Sequence, residues 1–459
     1  MPGKDDWELK SHQRSLYSLG TFPMSIVPAV IMSWLLFFYR PEESGAIVLV
    51  GPVAIIVARL IGRTVDALVD PMIASWSDRS TARGGRRIPF VKWGAIPLAV
   101  CSVLIWYPPF PSTSSWINGL WLGVMLSLTW FFYTVSGVTY LALLPEITRS
   151  STERVHLSVL MSYVDVAGMV GVPLLAGRLI DKFKDGATIG PIYFADGFKP
   201  SAVIVGAITV VLMYVSVWKM KEKEIEPSKT VPFKLIEAVR ICLRNEAFVP
   251  YLAMIGLLRL GIDLVIVAIP FIVTTVMQST PTVAGIGQAL MPFVAAVLFP
   301  VVAWMAHKFG KKKVYQIAIL LMVCILPLFV FIGRLPILSP MWQGLVLLGL
   351  LGIPASALLT MWRPMVADII DYDEKRVGYR REAIYYGVEG LATKFAQGLA
   401  AGIVVILAEM GKAMGYPSLK YVIVGPVAAV IFLLGFLAFR SYPLNGHHVD
   451  EHQEGAREQ

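Results

Sequence analysis

Apolar residues fall in long runs that short polar stretches interrupt, and twelve of these runs reach the length of a bilayer span, about 20 residues. They are predicted at 17–39, 47–75, 88–108, 116–144, 156–180, 201–218, 247–277, 283–306, 313–334, 341–370, 382–410 and 420–440. Pro28, Pro52, Pro173, Pro270 and Pro292 fall inside them, as suits membrane helices that bend and pack closely. The intervening loops alternate. RPEESG, PPFPSTSS, QSTPT and GRLPILSP are short and poor in basic residues, whereas Asp78–Lys92, Thr148–Arg154, Lys219–Arg244, His307–Lys313 and Lys375–Arg381 are basic. By the positive-inside rule the basic loops and both termini face the cytoplasm. That orientation predicts a multi-pass protein of the cell (inner) membrane.

Composition agrees. The chain has 459 residues and is 56% hydrophobic but only 15% charged, with a mean hydropathy of +0.67. A soluble chain carries about 25% charged residues, so most of this surface faces membrane lipid. A cytosolic enzyme, a disordered scaffold and a nucleic-acid partner are excluded. The net charge of +9 reports membrane orientation. Cys101, Cys242 and Cys324 are scattered without metal-ligand spacing, and no HExxH, GxSxG or Walker A motif appears. No enzyme, cofactor or metal centre is therefore expected beyond a coupling cation. The first sixteen residues are polar, with no cleavable leader expected ahead of the first span.

The polar segment 219–246 falls halfway along the chain. It predicts a six-helix half at 1–218, a cytoplasmic middle loop at 219–246, a second six-helix half at 247–440 and a polar tail at 441–459. ASWSDRSTARGGRR after the second span and AWMAHKFGKKK after the eighth lie about 230 residues apart, as two parallel repeats would place them. An all-α membrane protein of this plan has the major facilitator architecture, with substrate bound near the midplane between halves.

Ionisable residues inside a span cost about 2.5–3.5 kcal/mol on insertion scales, so they mark pathways or partners. Arg63, Asp66 and Asp70 share one face of the second span. Two carboxylates against one arginine leave a negative charge that suits Na+ or H+; the competing reading is a structural ion triad. The eleventh span carries Glu389 and Lys394. Lys394 meets either an anionic ligand or a permanent partner at Asp66 or Asp70. Arg259 and Asp263 neutralise each other at i, i+4. Asp165 stands alone in the fifth span, as a proton site or substrate contact. Trp130, Tyr133, Thr134, Ser136, Gly137, Thr139 and Tyr140 in the fourth form either a polyol-contacting surface or helix packing. At the cytoplasmic edge, Asp78, Arg79, Arg86 and Arg87 of one half are matched by Asp368, Asp371, Asp373, Arg380, Arg381 and Glu382 of the other, as breakable gate pairs.

RTVDALVDPMIASWSDRSTARGGRRIPF resembles the helix-two signature of the glycoside–pentoside–hexuronide:cation symporters, with D-x-x-x-D-P, then D-R, and a G-R-x-R-P element altered by Ile88. MVADIIDYDEKRVGYRREAIYYGVEGLATK resembles that family's second signature, and PEITRSSTER its loop after helix four. The resemblance implies that Asp66 and Asp70 hold the coupling cation beside Thr134. It also implies that Lys394 links cation and sugar, and that Arg154, Asp368, Asp371 and Arg380 belong to the cytoplasmic gate. Ser25, Gly137, Leu141 and Met161 or Ser162 stand where galactoside contacts are expected, so a different small polar solute is predicted. Ser25, Trp130, Tyr133, Asp165 and Lys394 are its candidate contacts. The expected activity is cation-coupled symport of a glycoside or sugar derivative by alternating access, in a chain that functions as a monomer with membrane lipid around it. Asp165 and the less polar pocket also resemble sodium-dependent lysophospholipid transporters, the second reading.

Overall fold

The computed structural model describes residues 9–41, 46–80, 82, 85–148, 151–189, 192–218, 220, 222, 235–336, 338–378, 381–413 and 419–444. Each predicted span falls on a helix. The first half contains α1 (Ser11–Ser18), α2 (Thr21–Tyr39), α3 (Pro52–Asp78), α4 (Ile88–Leu104), α5 (Trp116–Ile147), α6 (Ser151–Lys182) and α7 (Phe198–Ser216). Then follow α8 (Leu235–Leu243), α9 (Phe248–Phe271), α10 (Pro281–Phe309), α11 (Lys311–Ile325), α12 (Pro340–Val377), α13 (Glu382–Ala413), α14 (Leu419–Val422) and α15 (Val424–Arg440). Two of these were not expected as helices: α1 lies in the polar N-terminal stretch, and α8 in the middle loop. A short antiparallel hairpin, β1 (Ala187–Ile189) and β2 (Ile192–Phe194), occupies the fifth loop.

Among the described residues, nine helical spans are long and apolar enough to cross a membrane, and α4 and α15 are shorter apolar helices. The remaining long helix is α3, whose 27 residues extend about 40 Å. Its interior carries Arg59, Arg63, Asp66 and Asp70, which lower its hydropathy and mark it as the helix with work other than anchoring. Large apolar side chains, Trp93 and Trp116 among them, lie exposed on the outside, where a bilayer rather than water solvates them.

Local sequence sets the breaks. Pro52 follows Gly51 and opens α3, since a first-turn proline forfeits no helical hydrogen bond. Gly378 ends α12 with φ 83°, a left-handed conformation that glycine adopts without Cβ strain. Beyond Pro270, α9 relaxes into a π-turn over Ile272–Val276. Beyond α11, residues Leu326–Phe331 tighten into a 3-10 turn.

By their contacts the chain forms two compact units. One contains residues 1–232 with 280–286, the other 233–279 with 287–459. One core of the first unit gathers Tyr17, Val91, Tyr140, Leu157 and Met213. There Tyr17 stacks on Tyr140 at 4.7 Å and donates its hydroxyl to the Tyr140 carbonyl at 2.6 Å. Glu153 of α6 accepts from the Leu9 amide (2.7 Å) and Arg14 (3.3 Å) through one oxygen, and from Thr148 (2.6 Å) through the other, tying α1 to the loop between α5 and α6.

Candidate functional site

Four ionisable side chains descend one face of α3 at spacings of four, three and four: Arg59, Arg63, Asp66 and Asp70. The first three are buried, and Asp66 is only 1% exposed. Arg63 donates to Asp66 Oδ2 at 3.1 Å, and its guanidinium lies 3.6 Å from the centre of the Trp130 ring on α5. A desolvated cation over an aromatic face gains about 2 kcal/mol or more, so Arg63 is fixed from two sides. Gly62 makes the approach possible, because a Cβ there would crowd Leu126 and Trp130 at 3.2 Å. Arg59 Nη2 reaches the Met32 sulfur of α2 at 2.9 Å.

Arg59 was missed from the sequence, although its i, i+4 relation to Arg63 puts it on the same face. Its presence corrects the charge arithmetic. The face carries two arginines and two aspartates, not one negative charge in excess. The case for a cation therefore passes from net charge to local oxygen geometry.

That geometry centres on Thr134 of α5. Its hydroxyl lies 3.1 Å from Asp66 Oδ1 and 2.9 Å from Asp70 Oδ1. A hydroxyl has one proton and can donate to only one of them at a time. The other contact then sets lone pair against lone pair, unless a proton or metal ion relieves it. Three hard oxygens from two helices thus meet at one point.

The other candidates of the first unit also meet one another. Ser25 on α2 donates to Asp165 Oδ1 of α6, and Gly168 lets the two helices close, a Cβ there lying 2.9 Å from Ser25 Cβ. Tyr133 donates to the Met24 carbonyl at 2.9 Å and packs edge-on against Trp130. At Gly137, where a galactoside contact was absent, the Met24 sulfur fills the space, and a Cβ there would lie 2.6 Å from it. The position is taken by packing, not left open for a ligand.

In the second unit α9, α11, α12 and α13 line an open cavity of about 310 Å³ whose lining residues include Arg259, Tyr315, Trp362, Tyr386, Glu389 and Gln397. Arg259 donates to the buried Asp263 at 2.9 Å, the mutual neutralisation expected from spacing. Glu389 accepts from Tyr251 at 2.9 Å through Oε1. Lys394, half-buried on α13, directly follows Thr393 of the cavity wall.

The charges expected at the gate find partners within their own units. Arg87 binds Asp78 at 2.6 Å and Glu146 at 3.2 Å, and Arg86 binds Glu146. Lys311 clasps both oxygens of Asp368 at 2.7 and 2.6 Å, and Arg381 binds Asp373 bidentately at 2.8 and 2.7 Å. Arg154 and Asp371 are exposed; Arg154 Nε reaches the Thr148 carbonyl at 3.4 Å. Arg380 lies outside the described residues. Glu222, unremarked in the sequence, accepts from the backbone amides of Arg86, Arg87 and Ile88 and so caps the start of α4.

Comparison with known proteins agrees with this architecture. The family model described as "MFS/sugar transport protein" matches residues 16–446. The isoprimeverose transporter of Lactiplantibacillus pentosus is 26% identical over 406 residues, covering 87% of this chain and 80% of the relative. The sodium-dependent lysophosphatidylcholine symporter 1 of Gallus gallus is 22% identical over 428 residues, covering 84% and 78%. An inward-facing structure of a bacterial homolog of the human lysosomal transporter Spinster superposes with a TM-score of 0.67 at 14% identity, covering 95% of this chain and 98% of that one, which shows the fold. The chain belongs to the MFS/sugar transport family, within the glycoside–pentoside–hexuronide:cation symporters. It is a multi-pass membrane transporter that works by symport, and not an enzyme.

Proposed function

We propose that this symporter couples entry of Na+ or H+ at Asp66, Asp70 and Thr134 to uptake of a glycoside or related sugar derivative. The single observation that carries the cation site is the Thr134 hydroxyl shared between two carboxylates, an arrangement that a proton or small hard cation completes. Arg63, held by Trp130 and Asp66, offsets one of the two carboxylate charges. The isoprimeverose transporter among the relatives favours a sugar derivative over the lysophospholipid reading, whose relative is less similar to this chain.

Transport proceeds by alternating access between two six-helix halves, 1–218 and 247–440, in the inner membrane with both termini in the cytoplasm. Ser25, Trp130, Tyr133, Asp165 and Lys394 contribute to the substrate side. Arg154, Asp368, Asp371 and Arg380 belong to the cytoplasmic gate. One charge moving through 100 mV supplies about 2.3 kcal/mol, or about fifty-fold accumulation. Coupling follows because cation and sugar bias the same conformational equilibrium.

The test is thermal stability of the purified protein across sodium, lithium and pH, crossed with isoprimeverose, other glycosides, uronates and lysophospholipids. Ligands of the folded state raise its stability in proportion to occupancy. A cation-dependent shift with a glycoside, lost in Asp70→Asn, is expected. Stabilisation by lysophospholipid alone would transfer the assignment to the second reading, and no cation effect at any pH would make the α3 cluster structural.

A further inference from the structure

Lys92, one turn into α4, is half-buried yet makes no hydrogen bond or ion pair among the described residues. The carboxylates at this junction are engaged elsewhere. Asp78 is bound by Arg87, Glu146 by Arg86 and Arg87, and Glu222 by the backbone amides of Arg86, Arg87 and Ile88. An ionised side chain on a membrane helix normally has a partner, and for Lys92 that partner must come from outside the chain.

Lys92 borders an open groove of about 410 Å³ whose other lining residues are Val211, Tyr214, Val215 and Trp218. These four follow the i, i+3, i+4, i+7 spacing, so they form one stripe along the last turns of α7 and just beyond its end. Further along, α4 and α7 press together, since a Cβ at Gly206 would lie 2.9 Å from Val103. The groove opens toward Lys92, on the outer surface. Trp218 is 60% exposed, Tyr214 37%, and Trp93 beside Lys92 82%, so all three stand where lipid covers the protein.

The accessible polar groups of this groove identify the ligand. They are the Lys92 ammonium, the Trp218 indole N–H and the Tyr214 hydroxyl: two pure donors and one group that donates or accepts. Neither aromatic side chain has a polar partner among the described residues, and no carboxylate lines the groove. Such a set asks for a ligand rich in acceptors and negatively charged. A phospholipid with a phosphate diester and ester carbonyls supplies both, and Val211 and Val215 offer its acyl chain an apolar floor. Tyrosine and tryptophan are the residues that favour headgroup level. Snorkelling alone would carry a lone lysine to water; it does not account for an indole and a phenol lining the same groove.

We infer that the groove between α4 and α7 is a binding site for an anionic phospholipid, its phosphate on Lys92 and its glycerol-ester region against Tyr214 and Trp218. In the orientation proposed above this end of both helices meets the cytoplasmic leaflet, the one that carries a negative surface potential. The inference rests on the chain's place in a membrane and on neither the cation nor the sugar proposal.

The experiment is native mass spectrometry of the full-length detergent-purified protein, titrated with an equimolar mixture of phosphatidylglycerol and phosphatidylethanolamine. Variants are Lys92→Gln, Lys92→Arg and Trp218→Ala, with Lys308→Gln as control, since Lys308 lies 5.0 Å from the Trp304 ring at the end of another helix. Thermal melts check that each is folded. Wild type is expected to retain its first phosphatidylglycerol about fivefold more strongly than phosphatidylethanolamine, the contribution of one lysine at an anionic surface. Lys92→Gln should abolish that preference and Lys92→Arg keep it. Trp218→Ala should weaken retention of both lipids about two- to threefold, and Lys308→Gln should change nothing. Equal retention of the two lipids by wild type, or an undiminished preference in Lys92→Gln, would overturn the inference. Displacement of the bound lipid by millimolar inorganic phosphate would overturn it too, in favour of a soluble anion. Should Lys92→Gln not fold, Trp218 fluorescence decides. Vesicles of bromine-labelled phosphatidylglycerol should quench it more than labelled phosphatidylethanolamine, with Trp218→Phe as the blank, and equal quenching would sink the site.

Discussion

The charged face of α3 and the cavity beside α13 both bury carboxylates in a membrane protein, yet they are finished differently. Asp66 is held from within, by Arg63 on one oxygen and Thr134 on the other. Glu389 receives one tyrosine hydroxyl, while its second oxygen is buried without a hydrogen-bond partner among the described residues. The first arrangement leaves a gap suited to a bare ion between fixed oxygens. The second leaves a buried acceptor without a donor. Burial alone therefore says little about a carboxylate; how many of its lone pairs the protein has already used says more.

The comparison can be broken most forcefully at Arg63. Arg63→Ala would strip the buried Asp66 of its bonded arginine and leave α3 a buried acid with fewer partners, closer to the α13 kind. Such losses cost about 3–5 kcal/mol, so a large fall in the thermal midpoint is expected, partly recovered in the Arg63→Ala, Asp66→Asn double variant. No recovery would mean that Arg63 acts through Trp130 rather than through charge.

Next in size come the aspartates. Asp66→Asn and Asp70→Asn are each expected to abolish cation-dependent stabilisation and gradient-driven accumulation in proteoliposomes, while the protein still folds. Full uptake in either variant would contradict the proposed site. On the other side of the comparison, Tyr251→Phe removes the one donor to the Glu389 carboxylate found among the described residues. Leaving a buried acceptor unsatisfied costs about 1–3 kcal/mol, and chemical or thermal melts should register it. The gentlest change is Thr134→Ala, which deletes one of three oxygens. A three- to tenfold weaker cation response is expected in titrations, with sugar affinity at saturating cation unchanged.

Much of this was readable in advance, for physical reasons that also explain the gaps. Twelve apolar runs and alternating basic loops located the spans because lipid leaves a chain few alternatives to helix. The convergence on α3 and α5 was legible because i, i+3 and i, i+4 spacings put Arg63, Asp66 and Asp70 on one face. Partnership was not legible. Nothing in the spacing of Glu389 says that one of its oxygens is bonded and the other is not, nor that Tyr315, 74 positions away, shares its cavity. Arg59 was overlooked although periodicity would have found it. Glu222 was beyond reach, because capping of α4 by a residue about 135 positions later is a tertiary event. Gly137 looked like a missing contact and proved to be occupied by the Met24 side chain.

The hold of Glu153 on Leu9 spans 144 positions of sequence, and this sets an order on biosynthesis. When the first span leaves the ribosome, the carboxylate that seats the chain's beginning has not been made. At roughly 5–20 residues per second, α1 waits about 7–30 seconds before it can dock. During that interval the α1 segment lacks the partner that later fixes it, so its docking follows the synthesis of α6.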